Sequence, residues 1–217
     1  MSATGIGARV ERKEDRRFLT GAGQYTDDVV LPGQTYAYFL RSPHAHAKIR
    51  SIDAAAAKAA PGVLAVYTGE DIAGKVNGLP CGWLITDVNG QPMKEPPHPV
   101  LAQGKVRYVG DHVALVVAET YFQARDAAEQ IEVDYEVLPA VVSAADADKP
   151  GQAAVHDIAP NNVSYVWALG DKAATDAAFA KAAHVTRLDF HNNRLIPNAI
   201  EPRAANASYN RADESYT

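Results

Sequence analysis

Short apolar runs alternate with polar residues along this chain, and proline, glycine and serine punctuate them. Residues 35–40 (TYAYFL) are rich in aromatics and predict a strand, which Ser42-Pro43 breaks. Residues 47–52 (AKIRSI) alternate apolar and polar, the pattern of a half-buried strand. Asp53 is placed to cap a short helix through Ala60, and Pro61-Gly62 stops it. Residues 63–67 (VLAVY) predict a buried strand. Strand, helix and strand thus fall within about thirty residues, the length of a βαβ-type unit.

A second unit repeats the theme. Residues 106–109 predict a strand, Gly110-Asp111 a turn, and residues 113–118 (VALVVA) a buried strand. Thr120 then starts a helix, with Gln123 three residues on in a capping-box pattern. Ala124, Ala127, Ala128 and Ile131 recur at i, i+3, i+4 and i+7 and form one apolar face. Residues 132–137 (EVDYEV) alternate again, and Leu138-Pro139 ends that strand. The two units resemble each other in plan, with too little identity to be a sequence repeat. Between them, residues 73–99 are rich in glycine and proline and form a long loop, in which Asn89-Gly90 suits a tight hairpin turn.

The flanks are less periodic. Residues 1–34 read as an extended arm. Residues 143–162, rich in alanine, aspartate and proline, read as a linker. A strand over 165–169, a helix over 175–182 and strands over 184–190 and 204–209 follow, too few for an independent core. The expected organisation is an arm over 1–29, an α+β domain with a mixed sheet over 30–145, and a linker with the incomplete start of a second α+β domain over 146–217.

Composition narrows the partners. The 217 residues are 47% hydrophobic and 22% charged with a net charge of -5, which gives a globular chain and no signal for nucleic acid. The basic residues from Arg9 to Arg17 are interleaved with acids, as in a solvated segment. Cys81 is the one cysteine, so the chain can form no internal disulfide and cannot by itself hold an iron–sulfur cluster. No apolar run reaches the 18 or so residues of a membrane span, and the first residues contain no signal-peptide core. The expectation is a cytoplasmic protein.

Candidate chemistry is sparse. His44 and His46 in SPHAHA are a possible metal pair, but zinc sites need three or four ligands, which leaves a turn with hydrogen-bonded histidines as the leading reading. His98, His112, His156, His184 and His191 occur singly and read as structural. No G-x-S-x-G or S-x-x-K nucleophile motif is present. Cys81 has no activating base in sequence, and Gly21-Ala22-Gly23 lacks the preceding strand of a phosphate loop. Glu201 stands out in PNAIEPRAA, flanked by Ile200 and Pro202. Apolar surroundings would raise its pKa and suit it to acid–base or substrate-orienting work. The competing reading is an ion pair with Arg203 or Arg194.

Several stretches, in order and covering nearly the whole chain, resemble one family. RVERKEDRRFLTGAGQYTDDVVLPG resembles the N-terminal arm of aerobic carbon monoxide dehydrogenase-type large subunits. YFLRSPHAHAKIRSID with PGVLAVYTGEDI, and then residues 98–142, resemble the two units of the a/b hammerhead domain. NNRLIPNAIEPRAANASY resembles the opening of the molybdenum-cofactor-binding region. The family comprises the xanthine dehydrogenases, aldehyde oxidases and aerobic carbon monoxide dehydrogenases. The resemblance implies a molybdenum hydroxylase, which oxidises an aldehyde, an N-heterocycle or a similar compound, or carbon monoxide. It implies molybdopterin in the complete enzyme, with iron–sulfur and FAD subunits as partners beside the chain that carries the rest of the molybdenum-binding subunit. Within this chain it implies one substrate-pocket candidate, Glu201, and assigns no residue to catalysis, cofactor or metal. The expected function is an enzyme fragment or split subunit, inactive alone and prone to self-association; the alternative is a non-catalytic interaction module that retains the hammerhead fold.

Overall fold

The computed structural model describes residue 5, residues 11–193 and residues 195–217. The chain divides into two compact units, one of residues 35–185 and one that combines residues 1–34 with 186–217.

In the larger unit the two predicted strand–helix–strand segments are interleaved. The first supplies β1 (Tyr36–Arg41), β2 (Ala47–Asp53), α2 (Ala55–Ala59) and β3 (Val63–Thr68). The second supplies β4 (Lys105–Val106), β5 (His112–Ala118), α4 (Tyr121–Ala128) and β6 (Glu132–Val137). Each segment sends its outer strands to one sheet and its middle strand to the other, so the orders are β1-β5-β3 and β4-β2-β6. Every pairing in them is antiparallel. The expected mixed sheet is therefore corrected to two antiparallel sheets. A helix carries β2 across to β3, and another carries β5 across to β6, but neither pair shares a sheet, so no parallel ladder forms.

Local chemistry sets the helices. Asp53 Oδ1 accepts the Ala55 N–H at 2.9 Å in a turn just ahead of α2, whose N-cap is Ala54 and not Asp53. Gly62, at φ +79°, turns the chain into β3 in a conformation that costs a side-chain-bearing residue. Thr120 Oγ1 accepts the Gln123 N–H at 3.3 Å and caps α4. A four-residue helix that the sequence pattern missed, α3 (Gly69–Ile72), follows β3 directly. Its signal was present in Thr68 and Asp71, which form a capping box. The core lies between the two helices and the β1-β5-β3 sheet and is rich in alanine: Ala57, Ala114, Ala118, Ala124, Ala127 and Ala128 join Val66, Val116 and Ile131. A smaller cluster, Ala47, Ala102, Val106 and Val113, underlies the second sheet.

The long loop is ordered by its own turn. Met93 N–H donates to Ile85 O at 2.8 Å, Thr86 bridges Pro92, and Gly90 takes φ +75° at the tip. Residues 164–166 lie along it, with Val88 N–H on Val166 O at 2.9 Å and Lys94 N–H on Ser164 O at 3.0 Å. The strand expected over 165–169 is thus a main-chain contact to this loop, not a sheet member. Beyond it, α5 (Lys172–Lys181) has no buried residue.

The smaller unit contains α1 (Asp15–Leu19), a 3-10 turn over Thr26–Asp28, and the hairpin β7 (Tyr209–Asn210) and β8 (Ser215–Tyr216). In the described part of the extended arm expected over 1–29, two short helical turns form, and residues 1–4 and 6–10 lie outside the described residues. The strand expected over 184–190 does not form, and that expected over 204–209 is reduced to the first residue of β7. Among the described residues no helix is long and apolar enough to cross a membrane.

Candidate functional site

Glu201 is fixed by a backbone amide. Its Oε1 accepts the Thr26 N–H at 3.0 Å, and Asn206 Nδ2 donates to Thr26 O at 2.9 Å. Residues 201–206 thus hold both hydrogen-bonding groups of Thr26, at the start of the 3-10 turn. Phe18 stacks on Tyr25 at 5.7 Å beside that turn. Glu201 and its neighbours Ile200 and Pro202 are exposed, so the apolar neighbours do not enclose the carboxylate as the sequence suggested. Among the described residues Glu201 is not paired with Arg203; the alternative pair with Arg194 lies outside the described residues. The Thr26 amide thus orients an exposed carboxylate.

In the larger unit the SPHAHA segment lies ahead of β2 and acts as a lock. Ser42 N–H donates to Asp111 O, and Gly110 N–H donates back to Ser42 O, both at 2.8 Å. Ser42 Oγ accepts the His44 N–H at 3.0 Å and lies 2.9 Å from His44 O. The His44 ring meets Tyr135 edge-on at 4.9 Å. His46 Nδ1 donates to Pro139 O at 2.7 Å, while Leu138 N–H donates to His46 O at 2.9 Å. A carbonyl can only accept, so Nδ1 carries the proton, and the buried Nε2 has no partner among the described residues. The two histidines therefore face different neighbours. Among the described residues no group of three or more potential ligands gathers.

Asp111 completes the lock, and sequence reasoning gave it only a turn. It is 9% exposed, and its Oδ2 accepts the Arg107 N–H at 3.0 Å. Burial first, and the Asp111 carboxylate second, push the neighbouring Tyr108 hydroxyl above its ordinary value. Burial pushes the Tyr135 hydroxyl up as well. Burial, then the Arg41 charge, hold the His112 imidazole below its usual range, where its ring stacks on Phe39 at 4.5 Å.

Residues expected to form a linker are an ordered strap. Asn162, at φ +57°, donates through Nδ2 to Ala147 O at 2.8 Å and Ala153 O at 2.9 Å, and its Oδ1 accepts the Val155 N–H at 2.9 Å. Arg107 Nε reaches across to Val155 O at 3.2 Å. Lys105 Nζ lies 3.6 Å from Asp157 Oδ1, and Ala159 is buried. Cys81 is exposed; its thiol donates to Trp83 O at 3.2 Å, and its N–H to Glu95 Oε1 at 3.0 Å. An open cleft of about 310 Å³ lies over residues 49–52 of β2 and Gly69, with Arg50 and Glu70 as its charged lining.

Comparison with known proteins matches these segments. The family model for the a/b hammerhead domain of aldehyde oxidase and xanthine dehydrogenase covers residues 20–139. A molybdopterin cofactor-binding domain covers residues 155–217. The carbon monoxide dehydrogenase large chain of Afipia carboxidovorans is 39% identical over 210 residues, 91% of this chain and 25% of that one. The nicotine 6-hydroxylase large subunit of Paenarthrobacter nicotinovorans is 37% identical over 206 residues, 94% of this chain and 24% of that one. The crystal structure of quinoline 2-oxidoreductase from Pseudomonas putida 86 superimposes with a TM-score of 0.78 at 38% identity, over 97% of this chain and 26% of the other. The chain thus spans about a quarter of the length of the curated relatives it matches.

Within the cofactor-domain match no glycine follows Gly170 to build an amide cradle for an anionic pterin phosphate. Such a group is held by free backbone amides at glycine-rich turns or helix N-termini. Residues 171–217 contain no glycine. The N-terminus of α5 is closed by Asp171, whose Oδ1 accepts the Ala174 N–H at 2.9 Å and whose charge repels an anion.

Proposed function

The chain belongs to the aldehyde oxidase and xanthine dehydrogenase family, and from that membership we propose that it is part of the large, molybdopterin-binding chain of a molybdenum hydroxylase. The activity proposed is oxidative hydroxylation of an aldehyde, an N-heterocycle or a similar compound, or oxidation of carbon monoxide. The observation that carries this reading is the ordered match of a hammerhead segment over 20–139 and a cofactor-domain segment over 155–217, within alignments to relatives that cover more than nine-tenths of the chain. The cofactor amides and the cluster ligands are proposed to come from the remainder of the large chain and from iron–sulfur and FAD subunits, since this chain has one cysteine. The hammerhead domain is then scaffold, its two sheets tied by the Ser42–Asp111 lock. The chain alone is proposed to be inactive. No observation favours the non-catalytic alternative.

Glu201 is proposed to line the substrate pocket and orient a polar substrate group. Its support is its exposed position in the cofactor-domain match and its fixing by the Thr26 amide. The test is reconstitution. The chain is co-expressed with the part that completes a relative's large chain and with that relative's partner subunits, and turnover of aldehydes, N-heterocycles and carbon monoxide is measured. Turnover in the assembly alone is expected, with Glu201→Ala lowering kcat/KM for a polar substrate by roughly tenfold, the worth of one oriented charged hydrogen bond. Turnover by the chain alone contradicts the scaffold reading. Unchanged kinetics in Glu201→Ala contradict the pocket role and leave the family reading intact.

A further inference from the structure

The strap over residues 147–163 runs from the end of the hammerhead match into the start of the cofactor-domain match, and its docking contacts converge on one histidine. We propose that the strap is pH-gated: protonation of His156 loosens its docking on the β4 edge of the hammerhead domain.

The geometry places His156 between two cationic clamps. Arg107 holds the carbonyl of the residue before it at 3.2 Å, and Lys105 pairs with the residue after it at 3.6 Å. Both clamps come from β4 and its exit, and the Lys105 side chain is only 20% exposed, so its charge is poorly screened. Among the described residues, the charge on His46, at the approach to β2, adds to this repulsion, and that on Asp157 of the strap itself opposes it. The strap's internal bonds depend on the same short segment: Val155 N–H to Asn162 Oδ1 at 2.9 Å, and Ala159 N–H to His156 O at 2.9 Å. An imidazolium here would meet two fixed cations while losing part of its hydration.

The direction of the effect follows. Burial first, then Arg107 and Lys105, hold the His156 imidazole below its ordinary range in the docked strap. A released strap binds the proton more tightly than a docked one. Docking is therefore at full strength above the free-histidine range, and weakens as pH falls through about 6.5. His46 is the other imidazole beside the strap, and a His156 variant separates the two.

Hydrogen exchange on the whole 217-residue chain tests this, with rates corrected for intrinsic exchange and compared at about pH 7.5 and about pH 5.5. The amides of Val155, Ala159 and Asn162 are expected to lose roughly threefold or more of their protection at the lower pH, while those of β5 keep theirs. In His156→Gln, which keeps a polar side chain that does not titrate, the loss is expected to disappear. Protection that does not change with pH in the native chain, or the same loss in His156→Gln, overturns the proposal. If the glutamine variant is unprotected at both pH values, Asp157→Asn decides. Removing the opposing charge must deepen the loss at low pH, and an unchanged or shallower loss overturns the proposal.

Discussion

At the scale of the residue, the chemistry of the larger unit is spent on positioning. Asp111 receives the Ser42 N–H on its backbone carbonyl and the Arg107 N–H on its carboxylate, so one residue ties the ends of β1, β5 and β4, the side chain supplying the tie to β4. Asp111→Ala leaves the Arg107 amide without an acceptor in a largely buried place, and is expected to cost about 1–3 kcal/mol. The check is the urea midpoint at an unchanged m-value. A loss within a few tenths of a kcal/mol would mean that water replaces the carboxylate. The histidines of SPHAHA were legible as special, but their partners were not. A metal pair and a hydrogen-bonded turn share the same spacing, and what separates them is the distant carbonyl of Pro139 and the ring of Tyr135. Glu201 was legible as a charge out of place. Its partner, the Thr26 amide, lies 175 positions away and leaves no periodic trace.

Among the elements, periodicity located α4 and the longer hammerhead strands well, because capping residues and turn glycines bound each one locally, whereas the strand expected over 106–109 is Lys105–Val106. It did not reveal that the two units exchange their middle strands. Alternation fixes which face of a strand is buried, and is silent on which strand lies beside it. The last third misled for a related reason. Residues 184–190 have strand composition, but no described strand lies beside them to form a ladder, and composition alone does not make one. The exchanged sheets bring α2 and α4 together on alanine: Ala57 and Ala124 are each fully buried. Ala57→Leu adds volume where two helices nearly touch and is expected to cost about 1–3 kcal/mol. Ala56→Leu, one position along on the exposed face, is expected to be neutral within about 0.5 kcal/mol. Equal stability of the two variants, read by thermal or urea unfolding, would contradict the helix packing described.

For the molecule as a whole, the exposed apolar residues belong to the account as much as the buried ones. Phe190, Leu195, Ile196 and Ile200 are 81–90% exposed. The helix α5 buries nothing, although a ten-residue helix is marginal in water unless something packs on it. Such surfaces fit a chain that matches a quarter of its relatives' length, with the remainder of the large chain as their proposed cover. The central claim is that the fold is a scaffold whose cofactor amides lie elsewhere in the large chain. Metal analysis tests it most directly: the chain is purified alone, and again after co-expression with the complementary part of a relative's large chain, and molybdenum per polypeptide is measured in both. The account predicts molybdenum near one per complex in the second preparation and a background level in the first. Near-stoichiometric molybdenum in the chain purified alone would contradict it.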